Sequence, residues 1–198
     1  MCRHFVGAGP KEFGIGGHLS VCTYLLSLCR ATPSLPQIIS ERKLINSQTL
    51  DGNSVLMWAA WSQSLDIVKL LIRSRSGAKN TANRNGCTVA HWAASGGNLS
   101  VCQYLHQMAG VDFTTENYAG NTPLSHAVAY GRVDVVRWLR EDMGVEDNGG
   151  TAEGLATDFI NWADMGLVSS SDHTERQKVY DLFMDWSKEM GASDLHDE

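Results

Sequence analysis

Between residues 52 and 139 one arrangement of apolar and polar positions occurs three times. Gly52-Asn53-Ser54-Val55-Leu56-Met57-Trp58-Ala59-Ala60 is echoed by Gly86-Cys87-Thr88-Val89-Ala90-His91-Trp92-Ala93-Ala94 and by Gly120-Asn121-Thr122-Pro123-Leu124-Ser125-His126-Ala127-Val128, a spacing of 34 residues each time. A second matched segment follows each of these: Leu65 to Leu71, Leu99 to Leu105, and Val133 to Leu139. In these later segments apolar residues fall at i, i+2, i+3, i+5 and i+6. This predicts a short amphipathic helix whose polar stripe, Asp66/Lys69, Ser100/Gln103 or Asp134/Arg137, faces water. Two stripes carry an acid-base pair at (i, i+3) spacing. The earlier segments are shorter and alanine-rich, which predicts a helix that its neighbours approach closely. Gly52, Gly86 and Gly120 suit a tight turn with positive φ, placed just before a Ser or Thr that can cap the first helix. The predicted unit is a turn and two helices, three times over.

The flanks carry weaker copies. Gly17 to Leu25 matches Gly97 to Leu105 at most positions, which predicts an N-terminal unit over residues 1–27. Its first helix is degenerate, because Pro10 and the glycines of Val6 to Gly17 stand where that helix belongs. Pro33 and Pro36 mark residues 28–49 as an inserted, exposed loop. Three clear units then occupy residues 50–148. Loop insertions are expected near Met108-Ala109-Gly110 and Met143-Gly144. A degenerate capping unit follows over residues 149–190, with a first helix at Gly150 to Ala156, a mobile loop at Ser169 to His173 and a second helix from Gln177 to Trp186. Residues 191–198 form an acidic tail.

Thr122-Pro123-Leu124-Ser125-His126-Ala127 and Thr88-Val89-Ala90-His91-Trp92-Ala93 resemble the T-P-L-H-x-A signature of ankyrin repeats. A period of 34 also belongs to tetratricopeptide repeats, but the Gly-x-Thr-Pro-Leu opening is foreign to their tryptophan and tyrosine pattern. The resemblance covers roughly residues 16–190 and implies an all-α solenoid of stacked antiparallel helix pairs, about four to five repeats including degenerate caps. It also implies that His91, at the signature position, bridges neighbouring loops by hydrogen bonds. Met57 and Ser125 hold that position in the other clear repeats and weaken the bridge there.

Composition narrows the function classes. No stretch approaches a membrane span or a signal peptide. Five widely spread cysteines without a C-x-x-C pair argue against a disulfide framework and for reduced thiols, hence a cytoplasmic or nuclear protein. The net charge of -6 hides a split: residues 1–140 carry 13 basic and 7 acidic side chains, residues 141–198 carry 3 and 15. From Ile67 to Val111 there is no Asp or Glu, but Lys69, Arg73, Arg75, Lys79 and Arg84 are present.

No set of residues reads as an active site, and no cofactor is expected. His91 lacks a nucleophile or carboxylate in its own repeat. Cys2-x-His4 is the only close Cys/His pairing, so no metal site is expected, and Cys22 and Cys102 read as packed hydrophobes. Gly14-Ile15-Gly16-Gly17 lacks the Lys-Ser/Thr of a phosphate loop. Glu141-Asp142 and Glu146-Asp147 read as solvated acids.

The resemblance instead implies binding through the turn tips and the concave face of the first helices. On this sequence that surface includes Leu50, Asp51, Asn53, Trp61 and Ser62, then Arg84, Asn85, Cys87 and Ser95, then Tyr118, Asn121, Ala129 and Tyr130. Trp61, Tyr118 and Tyr130 are the expected anchors, as large amphipathic rings, whereas Trp58 and Trp92 are expected to line the helix stack. The function this implies is a non-catalytic, monomeric scaffold or adaptor for an unidentified protein partner. Two alternatives stand beside it: a binder of nucleic acid or another polyanion through Lys69 to Arg84, and a fragment of a larger ankyrin-containing protein.

Overall fold

The computed structural model describes residues 45–74, 77–146, 152–156 and 170–193. Three helix pairs occupy the middle of the chain. They are α1 (Val55–Trp61) with α2 (Leu65–Arg73), α3 (Val89–Gly96) with α4 (Leu99–Ala109), and α5 (Pro123–Ala129) with α6 (Val133–Arg137), and a long α7 (Ser170–Ser193) follows. Among the described residues there is no strand, and Gln48 and Ser54 form an isolated bridge. The all-α, paired-helix expectation therefore holds.

Each inner helix begins on a capping box. Met57 N–H donates to Ser54 Oγ at 3.2 Å, and Ser125 N–H donates to Thr122 Oγ1 at 3.2 Å. In return the third helical residue reaches back. Met57 Sδ, His91 Nδ1 and Ser125 Oγ accept the N–H groups of Ser54, Thr88 and Thr122 at 3.4, 3.1 and 2.8 Å. Otherwise orphaned donors of the first turn are thus satisfied. Pro123 opens α5, where its missing N–H costs nothing.

The inner helices pack against one another through small residues. Ala60, Ala90, Ala93, Ala94 and Ala127 are wholly buried. At Gly96 a Cβ atom would stand 2.9 Å from both Ala60 O and Trp61 O, so α3 meets the end of α1 backbone to backbone. The outer helices add Val68, Leu71, Val101, Cys102, Leu105, Val135, Val136 and Leu139 to the same core. Phe113 lies under them, edge-to-face with Trp138 at 5.4 Å.

The turn between inner and outer helix repeats as well. Gly97 and Gly131 take positive φ, and in the first unit Gln63 does so at φ 64°, the one non-glycine among the described residues to do it. The next residue then ties back to the preceding unit: Asn98 Nδ2 donates to Gln63 O at 2.9 Å, and Arg132 Nε donates to Ser95 O at 2.8 Å.

Several sequence expectations are corrected. Met108 and Ala109 belong to α4, and only Gly110 leaves it, with Val111 N–H closing back on Leu105 O at 3.0 Å. Beyond α6 the chain widens into a π turn over Trp138–Asp142, so length is taken up inside the helix and not in a loop at Met143-Gly144. Arg137 pairs with Glu141 at 2.9 Å instead of Asp134, and the Lys69 ammonium sits 5.8 Å over the Tyr104 ring.

The boundary expected at Leu50 also shifts. Ile45 is in the core and Thr49 already belongs to the first turn, whose Gly52 N–H donates to Thr49 O at 2.9 Å. Residues 1–27 and most of the 28–49 insertion lie outside the described residues.

Residues 152–156 are helical, with Ala152 and Ala156 buried. Against expectation, Ser170 to His173 are the first turn of α7 and not a loop, and Gly191 to Ser193 continue the helix into the expected tail. No proline interrupts this run, and Lys178–Glu175, Gln177–Asp181 and Lys188–Asp185 contacts line its exposed side. Its Val179 and Phe183 are buried as it packs on α5 and α6.

Replacing Ala93 with Leu overpacks the stack, and replacing Gly96 with Ala pushes apart two backbones. Each is expected to lower unfolding free energy in urea by about 1–3 kcal/mol. Gln63→Gly relieves a left-handed non-glycine residue and is expected to raise it by about 0.5–1 kcal/mol in the same measurement.

Candidate partner-binding surface

The turn tips are built by one side chain placed three residues before each glycine. Asn83 Oδ1 accepts the N–H groups of Asn85 and Cys87 at 3.0 and 2.9 Å, and Asn117 Oδ1 accepts those of Ala119 and Asn121 at 2.9 and 3.0 Å. Both residues are buried. Their amide nitrogens face the preceding unit: Asn83 Nδ2 donates to Asn53 Oδ1 at 2.8 Å, and Asn117 Nδ2 to Cys87 Sγ at 3.3 Å. Thr49 plays the part more simply in the first unit, accepting Asn53 N–H at 3.1 Å. Neighbouring tips are joined by the backbone bonds Arg84 N–H to Asp51 O, 2.9 Å, and Tyr118 N–H to Asn85 O, 3.1 Å. The tips therefore form a fixed row.

Behind the second and third tips lies a joint of two histidines. Fully buried His91 donates from Nε2 to Asn121 O at 3.0 Å, which is the bridge expected of the signature histidine. His126 touches Ser95 Oγ at 3.1 Å through Nδ1, and the two rings meet edge-to-face at 5.0 Å. Burial lowers the pKa of His91 against the bond to Asn121 that favours its charge, and burial, with His91 alongside, lowers that of His126.

Of the expected contact residues, Asp51, Arg84, Asn85 and Tyr118 are exposed at the tips, as is Leu50, with Tyr118 81% and Leu50 88% accessible. Asn53, Trp61, Ser62, Asn121, Ala129 and Tyr130 are half-buried. Three of these already have structural work: Asn53 holds Asn83, Ser62 Oγ donates to Ala59 O at 2.9 Å, and Asn121 carries the His91 bridge. Cys87 and Ser95, expected on this surface, are buried instead. Cys87 packs under the Asn117 amide, and Ser95 is covered by the Arg132 side chain reaching its carbonyl.

Trp58, expected inside the stack, is exposed, while Trp92 is half-buried. Trp58 stacks edge-to-face on Trp92 at 4.9 Å and on Trp61 at 6.0 Å, so three indoles form one cluster on the inner helices. Asn83 and Asn117 were not singled out from the sequence, and Trp58 was not expected on the contact surface. The recurrence of Thr49, Asn83 and Asn117 at the 34-residue spacing was the available signal.

The remaining groups are ordinary. Among the described residues no group of three or more His, Cys, Asp or Glu is placed to hold a metal ion. Burial pushes the Cys102 thiol up to about 12, as expected of a packed hydrophobe. Glu141 and Asp142 are exposed. Within the basic stretch Lys79 Nζ donates to Ala109 O at 2.9 Å, capping the end of α4. Cys2, His4, Cys22 and the glycines at 14–17 lie outside the described residues, and Arg75 does also.

A family model described as ankyrin repeats, three copies, matches residues 56–149. The chain carries ankyrin repeats. The match covers the three helix pairs from Leu56 onward and the second and third tips, and ankyrin repeats generally act in protein–protein interaction, typically without catalysis. No curated protein matches the chain. No helix among the described residues is long and apolar enough to cross a membrane.

Asn117→Ala removes a buried acceptor from two N–H groups of the third ankyrin tip. A loss of about 2–3 kcal/mol in urea unfolding is expected, against about 1 kcal/mol or less for Thr49→Ala, whose site is exposed.

Proposed function

We propose that this ankyrin stack is a non-catalytic scaffold or adaptor that binds a partner protein along the row of turn tips and the adjoining inner-helix ends. The observation that carries this reading is the contrast within each tip. Arg84, Asn85 and Tyr118 project outward, while the backbone of their tips is held by buried Asn83 and Asn117, and Asp51 projects from the first tip, which Thr49 holds. A surface whose backbone is already ordered loses little entropy on binding. Tyr118 and Leu50 supply apolar contact area, Arg84 and Asp51 supply charges of both signs, and the Trp58, Trp61 and Trp92 cluster extends the contact inward. Tyr130 and Trp61 contribute the parts of their rings that reach solvent.

Polyanion binding through Lys69 to Arg84 is disfavoured by the use of these side chains inside the fold. Lys69 covers Tyr104 and Lys79 caps α4, which leaves Arg73 and Arg84 as the exposed cations among the described residues of that stretch. The chain acts as a monomer in this reading, and its buried Cys102 thiol fits the reducing cytoplasm or nucleus.

Affinity capture from cell lysate, comparing wild type with an Arg84→Ala, Tyr118→Ala variant whose urea melt is unchanged, tests the proposal. The variant is expected to retain at least about tenfold less of a protein that the wild type captures. Equal capture by both removes the tips from the interface. Capture that disappears on nuclease treatment and falls steeply with salt replaces the protein reading by the polyanion one.

A further inference from the structure

Each turn tip is a seat for the next. Asp51 O accepts Arg84 N–H at 2.9 Å and Asn85 O accepts Tyr118 N–H at 3.1 Å, so one backbone bond joins each step of the row. The glycine after each acceptor is covered by the same arriving segment. A Cβ atom at Gly52 would stand 3.3 Å from Asn83 Cα, and one at Gly86 would stand 2.7 Å from Tyr118 N and 2.8 Å from the Tyr118 ring. The third tip has the same parts, with Ala119 at the place of Asp51 and Asn85, and Gly120 at that of the two glycines. Among the described residues nothing comes within 4 Å of a Cβ atom built at Gly120, and no N–H reaches Ala119 O. Exposure follows the same order: Gly52 is half-buried and Gly86 buried, whereas Ala119 and Gly120 are both exposed.

Chain length accounts for the open step. The second and third units close alike, Val111 N–H on Leu105 O at 3.0 Å and Val145 N–H on Leu139 O at 2.9 Å. After Val111 the chain takes eleven residues, 112–122, to build a tip before Pro123 opens α5. After Val145 it has six, 146–151, before the helical residues 152–156 begin. Those helical residues repeat the register of α5, since Ala152 and Ala156 are buried as Pro123 and Ala127 are. The stretch between units is therefore five residues shorter than the one that makes the third tip.

The occupant of this seat must bring a backbone donor into an acidic setting. From Asn85 to Gly131 the chain carries Asp112 and Glu116 and no Lys or Arg, and both acids are exposed on the segment that leads into the third tip. Glu146 and Glu153, on the far side of the open step, are exposed as well. A second copy has a matching residue in Leu50, which holds the place of Arg84 and Tyr118 on the first tip. Its α1 would have to lie where α7 packs on α5 and α6, so a second copy is disfavoured. We propose that Ala119 O and Gly120 are the docking edge for a short basic segment of the partner protein, whose backbone N–H bonds Ala119 O as Tyr118 N–H bonds Asn85 O. The inference rests on the reading of the tips as the partner-binding row and names what extends that row. Main-chain pairing fixes the register of the bound segment, and the surrounding acids select its charge.

The probe is a displayed library of random short peptides, panned on the full chain. Its counterpart is a graft in which residues 146–151 are replaced by a copy of residues 112–122, so that the chain furnishes its own fourth tip. Peptides retained by wild type are expected to be rich in Lys and Arg and to bind the graft at least about tenfold more weakly. Methylating the backbone nitrogens of such a peptide one at a time is expected to cost at least about tenfold at one position and little beside it. Should the graft melt early in urea, Glu116→Lys takes its place, since the side chain is exposed. That variant is expected to bind the same peptides about fivefold more weakly at low salt, and the difference shrinks at high salt. Recovery of no peptide, of peptides without basic residues, or of peptides that bind wild type and graft equally overturns the proposal. So does self-association of wild type that the graft abolishes, which gives the seat to a second copy. Lysate capture separates the two readings. A partner lost by the Arg84→Ala, Tyr118→Ala variant but kept by the graft leaves the row as the interface and removes its open end, whereas a partner kept by both removes the row itself.

Discussion

The close approach of inner helices sets everything else in this molecule. At Gly96 the backbone of α3 stands against the carbonyls of α1, and alanines fill the rest of that contact. With the inner helices this near, the longer outer-helix side chains, Ile67, Val101, Leu105 and Val135 among them, must fill the space behind. The turns are brought into register at the other edge, close enough for Arg84 N–H to find Asp51 O and for Tyr118 N–H to find Asn85 O. The row of tips is thus a consequence of small residues some distance from it.

Periodicity made the helix pairs legible, since apolar spacing reports which side of a helix is buried. Capping was legible too, because Ser54, Thr88 and Thr122 precede their helices at a fixed offset. Exposure within a repeat was less so. Trp58 and Trp92 share one register, yet Trp58 is exposed and Trp92 half-buried, because what covers a residue depends on the neighbouring unit and not on its own. Ser95 sits where Trp61 and Ala129 sit in the other units, but the Arg132 side chain closes over it. A long side chain from a different repeat leaves no trace in the local pattern. The ends were the hardest, since α7 begins inside a polar Ser-Ser-Asp-His run whose composition suits a loop equally well.

The repeats are alike in backbone and unlike in the chemistry of their joints. Between the first and second, an Asn83–Asn53 amide pair and two indoles hold the units; between the second and third, imidazoles, a hydroxyl and an amide do so. In a stack where each unit touches only its neighbours, stability is close to a sum over such joints. Changing one joint therefore acts locally, and the two halves of the molecule can differ in how they respond to the same solution.

The position of α7 bears on assembly. A solenoid end that exposes its helix faces is a template: a second copy could stack on it with the same offset, and the operation, repeated, does not close and builds a fibre. Here Val179 and Phe183 occupy the face that α5 and α6 would offer to such a copy, and Glu175, Lys178, Asp181 and Asp185 are what the outside meets. Among the described residues, α7 thus puts a charged face where the apolar sides of α5 and α6 would otherwise stand open.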